Sequence, residues 1–124
     1  MGQLVFAAKV THIPRMVLSE GPGPLHGCRD DAIQGLQQIG ERLVASGADT
    51  VIILDTHWLS NAAYHVNAWG EFQGVFTSSE FPTQIEALEF DHVGNPELAR
   101  ALAAKATARG VTTLAHERST LGLE

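Results

Sequence analysis

The sequence predicts an α/β fold: a three-layer α/β/α arrangement around a mostly parallel sheet, of which these 124 residues form part. Three observations predict it. Short unbroken apolar runs, such as "VIIL" at 51–54, have the pattern of strands covered on both faces. Segments of helical periodicity lie between such runs, the alternation expected of a parallel sheet with helical crossovers. Polar residues, histidines among them, follow the apolar runs directly, as at the edge where open α/β sheets bind ligands.

The first element is "LVFAAKV", 4–10, a short apolar strand with Lys9 near its end. Pro14 biases Ile13 away from helix and closes that strand. "SEGPGPLHG", 19–27, holds two prolines and three glycines and reads as loop. Asp30 or Asp31 can cap the helix that follows, 31–46, which gathers Ile33, Leu36, Ile39, Leu43 and Val44 on one face. Gly47 stops it. A strand over 50–55 comes next, so residues 4–55 read as a right-handed βαβ unit with parallel strands.

Partial alternation in "NAAYHVNAW", 61–69, suggests another strand. "GEFQGVFTSSEFP", 70–82, reads as loop from its Gly and Ser content. In "NPELARALAAKATARG", 95–110, Asn95 is a helix N-cap, Pro96 the first helical residue, Glu97 a first-turn acid and Gly110 the stop. "VTTLAH", 111–116, reads as a strand ending in histidine. The tail "ERSTLGLE" has the pattern of a further element beginning, so residues 1–124 are expected to be the front of one longer domain. A few parallel strands by themselves would leave an open sheet edge.

Composition narrows the function classes. A hydrophobic content of 44%, a charged content of 18% and a net charge of −6 are those of an ordinary globular protein. A pI near 5.4 and scattered Lys and Arg argue against a nucleic-acid-binding face. No apolar stretch approaches the roughly 18–20 residues of a membrane helix, and the N-terminus lacks the pattern of a signal peptide. The single cysteine, Cys28, excludes an internal disulfide and makes a reducing cytoplasm the expected compartment.

Six histidines stand out in a chain of this length. His12, His57 and His116 each follow a predicted strand, and parallel strands bring their carboxyl ends to one edge. Neighbouring strands lie about 4.8 Å apart, so imidazoles from adjacent strand ends can converge on one metal ion. Asp55 either orients His57 or satisfies loop amides. His26 reads as a loop anchor, His65 as a residue on one sheet face, and His92 beside Asp91 as part of a solvated turn. Cys28 beside Arg29 reads either as a thiol of lowered pKa near a helix start or as a structural residue.

The segments "AAKVTHIPRMVLSE", "HGCRDDAIQG", "DTVIILDTHWLSNAAYHVNA", "GVFTSSEFP" and "GNPELA", in this order and spacing, resemble the class III extradiol catechol dioxygenases. Within them the likeness is to the branch acting on 3,4-dihydroxyphenylacetate, and it covers the N-terminal half of such a protein. The resemblance implies a non-haem Fe(II), with Mn(II) or Zn(II) as alternatives, held by two His and one carboxylate. His12, in "THIP", and His57, in "DTHW", match the two histidine ligands. The family's third ligand, a Glu, belongs to its C-terminal half. Its acid–base histidine lies in an Asp-His-Gly stretch that begins about where Leu123 and Glu124 fall. His116 is the candidate within this chain for a catalytic role in the pocket. A catechol-type substrate and O₂ are the partners implied, and the open sheet edge with its half-covered apolar strands makes a homo-oligomer the expected assembly. The rival reading is a truncated, non-catalytic paralogue serving as a binding or oligomerisation module.

Overall fold

The computed structural model describes residues 2–11, 16–55, 62–77 and 87–118. The chain divides into two compact units, Met1–Ile52 and Ile53–Glu124.

In the first unit a single turn of helix, α1 (Val17–Glu20), leads through the Gly-Pro loop into α2 (Asp30–Ala45). Asp30 and Asp31 lie in the first turn of α2 and Arg42 in its last, each sign placed to favour the helix dipole. Gly47 takes φ +69°, a left-handed conformation open to glycine, and its N–H bonds back to the Val44 carbonyl. The expected cap at Asp30 or Asp31 is not what starts the helix. Arg29 occupies the cap position without a side-chain bond of its own. Ser19, ten residues earlier, supplies the missing acceptor: its hydroxyl accepts from the Arg29 N–H at 2.9 Å and donates to Asp30 Oδ1 at 3.0 Å. The Ser19 carbonyl also accepts from the Gly27 N–H at 3.0 Å, so both ends of the loop are held to one buried residue.

The apolar stripe of α2 is half-covered at Ile33, Leu36, Ile39 and Leu43, and Val44 is exposed. The runs at 4–10 and 50–55 correct the sequence reading. Neither is in a strand, and Leu4 and Leu54 are 83% and 93% exposed, so no βαβ unit is formed by residues 4–55. An apolar run becomes a strand only by pairing, and a parallel strand needs cover on both faces as well. Among the described residues neither run enters a strand ladder.

The second unit supplies the sheets. The strands β1 (Tyr64–Asn67) and β4 (Thr113–His116) pair in parallel, with Tyr64 opposite Thr113 and Asn67 opposite His116. Bonds from the Tyr64 N–H to the Thr112 carbonyl and from the Ala68 N–H to the His116 carbonyl extend the ladder. Between them β2 (Glu71–Phe76) and β3 (Leu88–Val93) form an antiparallel pair where a loop and a turn were expected. Their side chains alternate: Phe72, Phe76, Leu88 and Phe90 share one face, and Glu71, Gln73, Glu89 and Asp91 the other. His92 therefore lies in a strand, opposite Phe72, and not in a solvated turn. Gly74 faces Phe90, where a Cβ would come within 2.9 Å of the ring, so glycine at this register position makes room for the aromatic.

The helix α3 (Pro96–Ala108) packs against β1 and β4. Asn95 caps it by accepting from the Leu98 N–H at 3.0 Å, with Pro96 as the first helical residue. At its other end Gly110 has φ +84°. There the Gly110 and Val111 N–H groups return to the carbonyls of Thr107 and Ala106, a Schellman closure. The buried apolar residues among those described are small: Ala68, Ala99 and Ala103. These findings establish an α/β chain with one small parallel and one antiparallel pair of strands.

Candidate active site

Parallel pairing puts the carboxyl ends of β1 and β4 on one edge, and His116 is the last residue of β4. Side chains two apart on a strand share a face, and register partners in a parallel pair do so too. His65, Asn67, Leu114 and His116 therefore occupy one face. Across it His65 Nδ1 and His116 Nε2 lie 2.7 Å apart, hydrogen-bonded, with the rings stacked at 5.0 Å between centroids and 20° between planes. Both residues are half-buried. Beside them Asn67 accepts the Trp69 N–H at 3.2 Å through Oδ1. Its Nδ2 is buried and makes no hydrogen bond among the described residues.

The two histidines are unsuited to a common metal as they stand. Ligands at about 2.1 Å from one ion hold their nitrogens roughly 3–4 Å apart, farther than the 2.7 Å found here. Each ring nitrogen at the contact is already committed to the other ring. Among the described residues no group of three or more His, Cys, Asp or Glu could hold a metal ion. The predicted ligands His12 and His57 lie outside the described residues.

The other candidates fall out separately. His26 anchors its loop, donating from Nδ1 to the Gly21 carbonyl at 3.2 Å. Cys28 is exposed and free. Asp55 is exposed at the end of the 50–55 run. An open depression of about 470 Å³ lies over the hairpin, lined by Gln73, Gly74, Val75, Glu89, Phe90 and Asp91, and contains none of the histidines. The His65–His116 contact is what the residue pattern did not announce. Its signal was present only in part, as two strands each carrying a histidine.

The described part of the site is thus one histidine at the carboxyl end of β4, in contact with a second on the same sheet face. The chain belongs to the family described as the catalytic LigB subunit of aromatic ring-opening dioxygenase, matched over residues 6–124. Across all 124 residues it is 48% identical to 3,4-dihydroxyphenylacetate 2,3-dioxygenase of Escherichia coli. The chain spans 45% of that relative's length. Among the described residues no helix is long and apolar enough to cross a membrane.

Proposed function

We propose that this chain is the N-terminal part of an extradiol dioxygenase catalytic domain that opens the ring of 3,4-dihydroxyphenylacetate or a similar catechol with O₂. The observation that carries the reading is the 48% identity maintained over the whole chain. Membership of a ring-opening family supports the reaction class. His12 and His57 are the proposed metal ligands, on their match to the "THIP" and "DTHW" segments. The third ligand is assigned to the C-terminal part of a complete member. When bound, Fe(II), or alternatively Mn(II) or Zn(II), supplies the oxygen chemistry, which no protein side chain can supply. The protein's own share is to position the catechol, exclude water and handle protons. His116, at the carboxyl end of β4, is the residue of this chain proposed for proton handling.

The same reading takes the complete domain to be a three-layer α/β/α structure of a cytoplasmic homo-oligomer. The experiment joins this chain to the C-terminal part of the E. coli relative and purifies the product without oxygen. Ring cleavage of 3,4-dihydroxyphenylacetate to a yellow semialdehyde is expected, with bound metal lost in His12→Ala and His57→Ala. A folded, metal-loaded chimera that leaves every catechol intact would refute the proposal.

A further inference from the structure

We propose that His65 and His116 work as one proton-sharing unit, in which His65 is a positioning residue that sets the tautomer of His116. The inference rests, for its use in catalysis, on the proton-handling role proposed above for His116. Its physical basis is independent of that role. A 2.7 Å contact between two ring nitrogens requires one N–H and one lone pair. The intact pair therefore carries no net charge or one positive charge, and never two. A second added proton would put N–H against N–H and break the contact.

The geometry leaves one outer nitrogen on each ring, Nδ1 of His116 and Nε2 of His65. In one neutral form His116 Nε2 donates to His65 Nδ1, and His116 Nδ1 is a base. A proton taken up there by His116 makes an imidazolium, whose Nε2 proton can pass to His65 Nδ1. The charge then resides on His65, and His116 is neutral again with its proton on Nδ1. Nothing is oxidised or reduced; one proton enters at one end and one leaves at the other. A lone imidazole must keep the charge beside the reacting group, whereas this pair can move it one residue away. Asn67, the register partner of His116, brings a buried amide donor to the same face, a group suited to an oxygen acceptor.

The charged residues of the element packed against both strands are Glu97, Arg100 and Lys105 of α3, with Arg109 at its C-cap. Glu117 and Arg118 follow β4 directly, and Arg100 pairs with Glu117 at 3.0 Å.

The test is a histidine-ring ¹H–¹⁵N titration of the 124-residue protein. It is compared with His65→Asn, which keeps a hydrogen-bonding group near Nδ1 but cannot take a proton, and with His65→Phe, which keeps a ring without one. Amide spectra of α3 and β4 verify that each variant is folded. The expected result is one proton shared by both rings, with their resonances moving together. In His65→Asn a simple one-site titration of His116 replaces it, and in His65→Phe the His116 tautomer is no longer fixed. Two independent single-site titrations in the parent protein, unchanged for His116 in His65→Asn, would overturn the pairing. In the active chimera, His65→Asn should lower kcat about 10–100-fold, less than the ~10²–10⁴-fold of a whole acid–base group, and alter the pH profile. An unchanged profile would overturn the catalytic use. An inactive parent chimera would refute the dioxygenase reading, while the ring titration would still decide the pairing.

Discussion

Ser19→Ala tests how the start of α2 is held. The substitution removes one oxygen atom and leaves no cavity of consequence, so its effect is that of two hydrogen bonds. One is the acceptor for the Arg29 N–H at 2.9 Å; the other is the donor to Asp30 Oδ1 at 3.0 Å. Removing a helix N-cap typically costs about 1 kcal/mol. A hydrogen bond to a charged group contributes about 1.5–3 kcal/mol, less here because Asp30 is exposed and water can replace the lost donor. The expected total is about 1.5–2.5 kcal/mol. Urea denaturation followed by helical circular dichroism reads it. Amide exchange at Arg29 and Gly27 should quicken roughly 10–70-fold if the unit opens more often by that margin. Asp30→Asn keeps the acceptor Oδ1 and should lose only about 0.3–1 kcal/mol, through the helix dipole. In a double-mutant cycle, Ser19→Ala with Asp30→Ala should show coupling of at least about 0.5 kcal/mol. Loss under about 0.3 kcal/mol in Ser19→Ala, with no coupling, would refute the remote cap.

Gly94→Ala should disrupt the antiparallel pair, because a Cβ there would fall on the Trp69 carbonyl oxygen and within 2.7 Å of Phe72 Cε2. Overpacking of this kind costs about 1–3 kcal/mol, and amide exchange across β2 and β3 should show it while α2 is unaffected. Asn95→Ala should cost about 1 kcal/mol in thermal unfolding, and Asn95→Asp much less, since the carboxylate can still accept from Leu98. Leu54→Ser, at a 93% exposed position, should change stability by less than about 0.5 kcal/mol. It should nevertheless reduce self-association in sedimentation, because Val51, Ile52, Ile53 and Leu54 together form an exposed apolar run. Unchanged sedimentation would exclude that run from any self-association.

The helices were legible because their signals are local. Asn95, Pro96 and Gly110 each act within a turn or two of their own position, and the structure uses all three as the residue types suggest. The start of α2 was less legible, since its cap comes from Ser19 and not from the acidic pair beside it. Strands fared worse because pairing is not written in either partner alone. The runs at 4–10 and 50–55 have strand composition but enter no strand ladder among the described residues, while β2 and β3 carry Gly74 and acidic residues yet pair along their length. The alternation of Phe72 and Phe76 opposite Leu88 and Phe90 was visible, but only to a reader who already paired the segments. In the candidate site, the placement of His65 on one sheet face follows from alternation within β1. Its meeting with His116 depends on a register between residues 51 apart, which no local pattern specifies.

That register also orders events in time. The Ser19–Asp30 contact closes a short loop, 11 residues apart in sequence, and loops of about ten residues close within roughly 10–100 ns. The pairing of β1 with β4 must instead wait for a hairpin and a helix to be accommodated between its two strands. Contacts of such separation meet the entropy of closure before they return any stabilisation, and they form slowly. During synthesis the ring of His65 leaves the ribosome well before its partner, and no imidazole pair can exist until β4 has emerged and docked. The imidazole contact is thus a marker of completed folding in the second unit, absent from every intermediate in which α3 has formed but β4 has not.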